Sequence, residues 1–495
     1  MDEPQKSFHY RLIGWILVLA AVVSSFMNGW LVSLDRGVWF DEALSAFFIE
    51  QSWPGLFTLI GEFEANMAFY YVSLKLWASG FSSEIGLRLF SFLAYLGMAA
   101  IIAMGIKRVY SAKVSLIFLV LFFGHFYLIR YGVEVRGYAL AGLGLAGLWY
   151  CWLLAVVEER QRWWIAYAAL GVLAVHTHFF VSLGVLGLGL TSLFLRQPTF
   201  VFRHWLLAHS VIALSFVPIT LFVIFQEKGQ LAWLDTPGIR ALLDTAFMYA
   251  GAAPPAPDWV RRSLLLICTI FSGWALISAI RSHSGESKEE YRRVLLVITS
   301  LLSLSLSPVV LVFFLSQFEP AFSSRFFVPF VPFYLVLVAL GVVKLGRLGP
   351  LVASGVVLVF MTVSTISYAN RDYFSWADQS KSMLEQCLGQ EGILFMTPNA
   401  QSLFEFYKTR LKENEQCSWT FYPYKIAPYN YVRGLNDYPN KLVNIVDLDA
   451  FWIVKTHVGQ NEGRVYRRYL DQVSVIFEQC RVVTQTKKVV LLHCR

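Results

Sequence analysis

Charge is what this chain has least of. Asp, Glu, Lys and Arg make up 15% of its 495 residues, against 57% hydrophobic residues and a mean hydropathy of +0.55. That balance excludes a soluble globular domain and points to a polytopic membrane protein. The centres of the apolar runs are nearly free of charge, which argues against a charged path through them. No internal repeat is visible, which argues against an inverted-repeat transporter. No Cys-x-x-Cys pair occurs, and only His457 and His493 stand near the polar cysteines, so zinc is disfavoured. The first apolar run lacks a small-residue cleavage site, so a retained helix is expected. The net charge of +8 does not signal nucleic acid, because the basic residues sit in short loops between apolar runs, where topology requires them.

What is present is a series of about eleven apolar spans: 12–34, 85–106, 114–129, 138–157, 164–175, 179–195, 205–225, 263–280, 294–315, 326–343 and 351–368. Aromatic residues at 16% suit interfacial Trp and Tyr belts. The 35–84 loop carries mixed apolar and polar stretches, expected as helices lying in the interface. With the N-terminus inside, basic residues are more than three times as dense in the inner loops as in the outer ones. The loops 35–84 and 226–262 then face outward, as does everything after the last span.

From about residue 370 the composition turns polar, and short β-prone runs alternate with helical candidates at 402–411 and 462–469. The runs are "GILFM", "FWIV", "VSVIF" and "KKVVLLH". This predicts two domains: a membrane domain over 1–369 and a small extracytoplasmic α/β domain over 370–495. Cys387, Cys417, Cys480 and Cys494 all lie in the second, where an oxidising compartment favours disulfides. Three connectivities are open, and a hairpin over 480–494 would bring Cys480 to Cys494. Cys151 and Cys268 lie in apolar spans and read as packing residues.

Two adjacent acids, Asp41 and Glu42, follow the first span. One reading makes them a helix start, with Asp41 as N-cap and Glu42 in the first turn. The other makes them functional, because carboxylates beside membrane spans are costly and rarely idle. Further charged residues gather at outer span ends: Arg88, Arg130, Glu134, Arg136 and Arg325, with His176 and His178 at another outer turn. Each Arg alone reads as an interfacial anchor. Several on one side with an acidic pair fit a charged cleft better. A guanidinium grips phosphate through a planar fork, and a carboxylate accepts a proton from an attacking hydroxyl. Together they suit displacement of a lipid phosphate by a hydroxyl, and a polyprenyl-phosphate sugar meets that description.

In order and spacing, "WFDEALS", "YYVSLKLWASGFSSEIGLRLFS", "EVRGYAL", "HTHFFV" and "SRFFVPFVPFYLVLVALG" resemble the GT-C superfamily. The likeness is strongest to the bacterial branch related to protein O-mannosyltransferases and lipid A aminoarabinose transferases, and it spans residues 14–343. It implies a polytopic helical glycosyltransferase of the cytoplasmic membrane with an extracytoplasmic site. The donor would be a polyprenyl-phosphate sugar, and the acceptor a glycan, glycolipid or protein. By position, Asp41 would be the general base, and Glu42 would orient the acceptor or assist a metal. Arg88, Arg136, Arg325 and Arg130 would bind the donor phosphate, with Glu134, Tyr138, His178 and Tyr70 lining the substrate. Relatives often carry His-Pro before the paired tyrosines, where this chain has Asn66-Met67-Ala68-Phe69-Tyr70-Tyr71. That departure leaves a divalent metal open, at Asp41, Glu42 and Glu64 if anywhere. Glu62 and Glu64 could substitute as acids facing the cleft, with Glu64 against the substrate, although they read first as exposed charges on an interfacial helix. A flippase and a non-catalytic envelope-assembly subunit are the alternatives. The patches "FEFYKTR" and "RRYL" are candidates for touching anionic glycans.

Overall fold

The computed structural model describes residues 37–195, 200–225, 234–254, 256–281, 288–346, 376–387, 389–395, 399–411, 417–422, 447–456, 462–477, 479–485 and 489–495, with isolated positions at 16–31, 352–363 and 445. The expected spans 12–34 and 351–368 lie largely outside the described residues, as do residues 226–233 of the second outer loop. The chain separates into two compact units: one holds the apolar helices from Ile60 onward, and the other joins residues 37–59 to the C-terminal residues from 376 on.

In the first unit, a π-turn (Ile60–Glu64) and a 3₁₀ turn (Ala65–Met67) lead into a helix over Ala68–Ala78. The long helices follow. Among the described residues, six are long and apolar enough to cross a membrane: Glu84–Val109, Tyr138–Val157, Phe202–Leu221, Asp258–Arg281, Lys288–Leu315 and Ser324–Val343. A seventh arises if Ala112–Gly124 and Phe126–Gly132, bent by 69° at His125, count as one. Trp163–Val175 and Val181–Phe194 are shorter apolar helices. All nine fall on expected runs.

Local chemistry sets the ends. Ser83 caps Glu84–Val109, its hydroxyl accepting from the Gly86 N–H at 3.1 Å. Lys107 and Arg108 occupy the last turn, where cations suit the helix dipole. Arg108 Nη2 donates to Glu158 at 2.8 Å, tying that end to the end of Tyr138–Val157. Where the sequence places Gly341, a Cβ would collide with the Phe271 carbonyl, so only glycine allows Asp258–Arg281 and Val331–Val343 to cross this closely.

The second unit begins with helix α1 (Phe40–Glu50) and a short helix over Trp53–Leu59. Its sheet has five strands, β1 (Gln390–Phe395), β2 (Ser418–Tyr422), β3 (Ala450–Thr456), β4 (Cys480–Gln485) and β5 (Val489–Cys494), in the order β2-β1-β3-β5-β4. β1 runs parallel to β2 and β3, whereas β5 is antiparallel to both β3 and β4. Successive side chains of a strand face opposite ways, and the core divides accordingly. Ile393 and Phe395 pack with Met383, Leu384, Ala400 and Phe404 of the helices Trp376–Gln386 and α2 (Asn399–Lys408). Leu394, Phe451 and Leu492 pack with Tyr469 and Val473 of the helix Glu462–Ser474. The sheet is thus covered on both faces.

Two expectations need correction here. "VSVIF" is not a strand: its start closes the helix Glu462–Ser474, and Val473 and Phe477 face the core from there. "SWTFY" was not expected as a strand, yet it forms edge strand β2. Disulfides join Cys387 to Cys417 and Cys480 to Cys494, the latter across directly opposed positions of β4 and β5. Cys151 and Cys268 are free and buried.

A polar trio lies inside the sheet. Trp452 Nε1 donates to Glu391 Oε2 at 2.6 Å, and the His493 ring stacks on the Trp452 indole with centroids 3.9 Å apart. Burial, then Arg495 and Arg481, push the imidazole down from 6.5 to about 4. The unfolded chain therefore binds this proton more readily than the folded one, so stability drops as pH falls from 6.5 towards 4. Thermal unfolding of the full chain across that window checks this, and His493→Phe flattens the slope.

Candidate functional site

The expected site residues fall in both units, and each set has its own geometry. In the first unit, the residues after Ile60 meet two inter-helix turns. The Phe69 N–H donates to the His176 carbonyl at 2.9 Å. At Gly137 a Cβ would stand 3.1 Å from the Thr177 carbonyl and 3.2 Å from Met67 Sδ. A larger residue there would need these neighbours to give by a few tenths of an ångström. The close approach holds Arg136 against the first loop.

Arg136 Nη1 donates to the Tyr71 hydroxyl at 3.1 Å, and Nη2 lies 3.6 Å from Glu64 Oε1. Glu64 is only 3% exposed, which overturns its reading as a surface charge; Glu62 is the exposed one. A carboxylate here needs a cation, because an isolated buried charge costs several kcal/mol. The Arg136 N–H donates to the Glu134 carbonyl at 2.7 Å, so that tight turn aims the guanidinium. Nothing in the local sequence marks Tyr71 or Glu64 as its partners.

Aromatic rings join the other members. Tyr131 meets Tyr138 at 5.1 Å between centroids, Tyr138 meets His178 at 5.8 Å, and His178 meets Phe326 at 6.0 Å. Burial, then Arg136 and Arg325, hold the His178 imidazole down at about 3, so it is neutral at physiological pH. Arg130, Glu134 and Arg325 all act electrostatically on the Tyr131 hydroxyl. Arg130 lies over the Tyr131 ring at 5.2 Å and Arg325 over Phe326 at 5.7 Å. Arg88 is 1% exposed and stands 3.9 Å from Glu84, one turn earlier. Tyr70 is fully buried and meets Phe90, two positions after Arg88, at 6.3 Å. Arg130, Glu134, Arg136, Tyr138, His178, Arg325, Glu64 and Tyr70 thus form one neighbourhood. His176 is spent locally, its Nδ1 at 2.7 Å from the Val172 carbonyl.

In the second unit, Asp41 and Glu42 open α1, and both are buried. The N-cap is Trp39, not Asp41. Its N–H donates to Glu42 Oε2 at 3.2 Å, the reach-back half of a capping box. Glu42 therefore has a structural task, while Asp41 carries its carboxylate one position nearer the helix start. The Val38 N–H donates to the Tyr407 hydroxyl at 2.6 Å, fixing the entry to α1 against α2. Among the described residues, no three His, Cys, Asp or Glu side chains gather into a metal-binding group.

No protein-family profile matches the chain, and no curated protein matches it by sequence. Solved structures do match. ArnT from Cupriavidus metallidurans in the apo state aligns with TM-score 0.61 and 12% identity over 97% of this chain and 98% of that one. The same protein bound to undecaprenyl phosphate aligns with TM-score 0.62, 11% identity and the same coverage. AglB, an oligosaccharyltransferase from Archaeoglobus fulgidus, aligns with TM-score 0.46 and 12% identity over 83% of this chain and 61% of its own.

Glu64→Ala, which leaves Arg136 without this buried counter-charge, is expected to destabilise the full chain by about 3–5 kcal/mol. Thermal unfolding in detergent measures it, and Glu62→Ala, at an exposed position, serves as the control near zero. The alignment runs nearly end to end in both chains, so this chain shares the fold of ArnT.

Proposed function

We propose that the protein is a membrane glycosyltransferase that moves a sugar from a polyprenyl-phosphate donor to a hydroxyl of a cell-envelope acceptor. The observation that carries this reading is the set of guanidinium groups held among aromatic rings in an otherwise apolar helical body. Arg136, Arg130 and Arg325 share one neighbourhood, and Arg88 is buried two positions before Phe90, whose ring meets Tyr70. Guanidinium groups grip phosphate through a planar fork, so such a set in an apolar body suits a lipid phosphate. The ArnT structure aligned above contains undecaprenyl phosphate, an anion of the required kind with a tail suited to lipid.

In this reading the acceptor oxygen attacks the anomeric carbon of the donor sugar. Its proton passes to the Asp41 carboxylate, the new carbon–oxygen bond forms, and the bond to the phosphate oxygen breaks. The electron pair leaves with the polyprenyl phosphate from the opposite face, so the anomeric configuration inverts. Arg88, Arg130, Arg136 and Arg325 stabilise the charge that grows on the departing phosphate. A neutral His178 donates or accepts one hydrogen bond without adding charge. Tyr70, Tyr138 and Glu134 line the sugar, while Glu64 keeps Arg136 in place. The site works at the outer face of the cytoplasmic membrane, with the N-terminus inside.

General-base assistance is worth about 10²–10⁴-fold in rate. Asp41→Asn is therefore expected to lose that much turnover with donor affinity unchanged, read by transfer of a radiolabelled sugar from polyprenyl phosphate. Full activity in Asp41→Asn removes the assignment. Arg136→Ala weakens donor binding, and unchanged affinity across alanine variants at Arg88, Arg136 and Arg325 would put the phosphate elsewhere.

A further inference from the structure

The "FEFYKTR" segment begins in α2 and runs two residues past its end, and α2 lies beside α1, the helix that carries Asp41. Between them the second unit has an open groove of about 440 Å³. That lies within the range of about 300–1,000 Å³ usual for small-molecule sites. Three rings face it: Phe47 from α1, Phe406 from α2 and Phe421 from β2. Phe47 and Phe421 are only half-buried, so part of each ring stays open, although Phe421 also packs on Phe395 and Phe404.

The polar groups around these rings are balanced in charge. Glu50 on the rim pairs with Arg410, and the Arg410 guanidinium lies over the Phe406 ring at 3.7 Å. Lys408 stands over Phe421 at 6.0 Å. Glu405 accepts a hydrogen bond from Gln401 Nε2 at 3.0 Å, and its burial raises the carboxyl above the ordinary range. Gln51 and Thr409 complete the rim with an amide and a hydroxyl. The groove thus offers flat apolar faces edged by hydrogen-bonding groups, with each sign of charge matched by the other. An anionic ligand would find its cations already engaged. A neutral sugar has the complementary pattern, with apolar C–H faces and a hydroxyl edge.

Position adds a second argument. Phe47 and Glu50 lie six and nine residues after Asp41 on one continuous helix, so the groove begins about 9–14 Å along its axis and about 120–180° around it from Asp41. That is the reach of a short oligosaccharide. We propose that this groove is an acceptor subsite, and that the acceptor is an uncharged saccharide segment extending from the hydroxyl presented to Asp41. The inference rests on the glycosyltransferase reading above for what happens at the other end of that segment, and on the groove's own chemistry for the ligand class.

The test uses the full chain in detergent micelles with three probes: maltotriose, mannotriose and triacetylchitotriose. Binding is read by saturation-transfer NMR. At least one trisaccharide is expected to bind, and Phe47→Ala and Phe421→Ala are each expected to weaken it about tenfold by removing a stacking face. Thr409→Trp, at an exposed rim position, fills the groove without disturbing the core and is expected to abolish binding. No binding of any probe by the wild type overturns the inference. So does binding that survives Thr409→Trp, or displacement of the saccharide by equimolar inorganic phosphate. Asp41→Asn is expected to keep trisaccharide binding. If the wild type binds a trisaccharide in the groove yet transfers no sugar from polyprenyl phosphate, the catalytic reading falls and the saccharide site stands.

Discussion

The cost of holding charge inside an apolar body governs this protein. The helix interior is apolar, so each buried guanidinium or carboxylate must be met by a neighbour. Arg136 is met by Glu64 and Tyr71. Meeting it requires the first-loop residues, the turn before Tyr138–Val157 and the turn at His176–His178 to close on one another. Gly137 and the bond from Phe69 to His176 are the means. The same pressure keeps His178 neutral. Charges held this way act more strongly on one another than they would in water.

The second unit solves a different problem. It has a sheet covered on both faces by helices, two disulfides and a buried Glu–Trp–His trio. Its least expected feature is α1. By sequence this helix belongs to the loop after the first span, yet it gathers with the C-terminal residues. Tyr407 receives the Val38 N–H, and Arg410 pairs with Glu50. The acid proposed as the base is thus borne by a helix whose surroundings come from the C-terminal part of the chain. The C-terminal part of the chain thus supports the helix that bears Asp41.

Much of this was legible in residues alone, and the reason is periodicity and cost. Runs of apolar residues have few ways to fold in lipid, so the nine described apolar helices and broken spans fall where hydropathy placed them. The short strand "SWTFY" was missed because an edge strand of five residues with two polar positions carries little alternation. "VSVIF" misled for the opposite reason: a short apolar run reads alike as a strand or as the buried end of a helix. Glu64 was misjudged because exposure of a lone acid cannot be told from its neighbours in sequence.

By itself, the sequence determined the membrane class, the positions of the apolar helices, the polar C-terminal domain and the residue types available for a charged site. These follow from composition and short-range pattern, which act within a turn or a strand. Only the tertiary structure decided that Arg136 faces Glu64 and Tyr71, the latter 65 residues away. It also decided that Glu42 is spent on a helix cap and that α1 lies along α2 to form a groove. Such pairings depend on which distant surfaces meet, and local propensity carries no record of that.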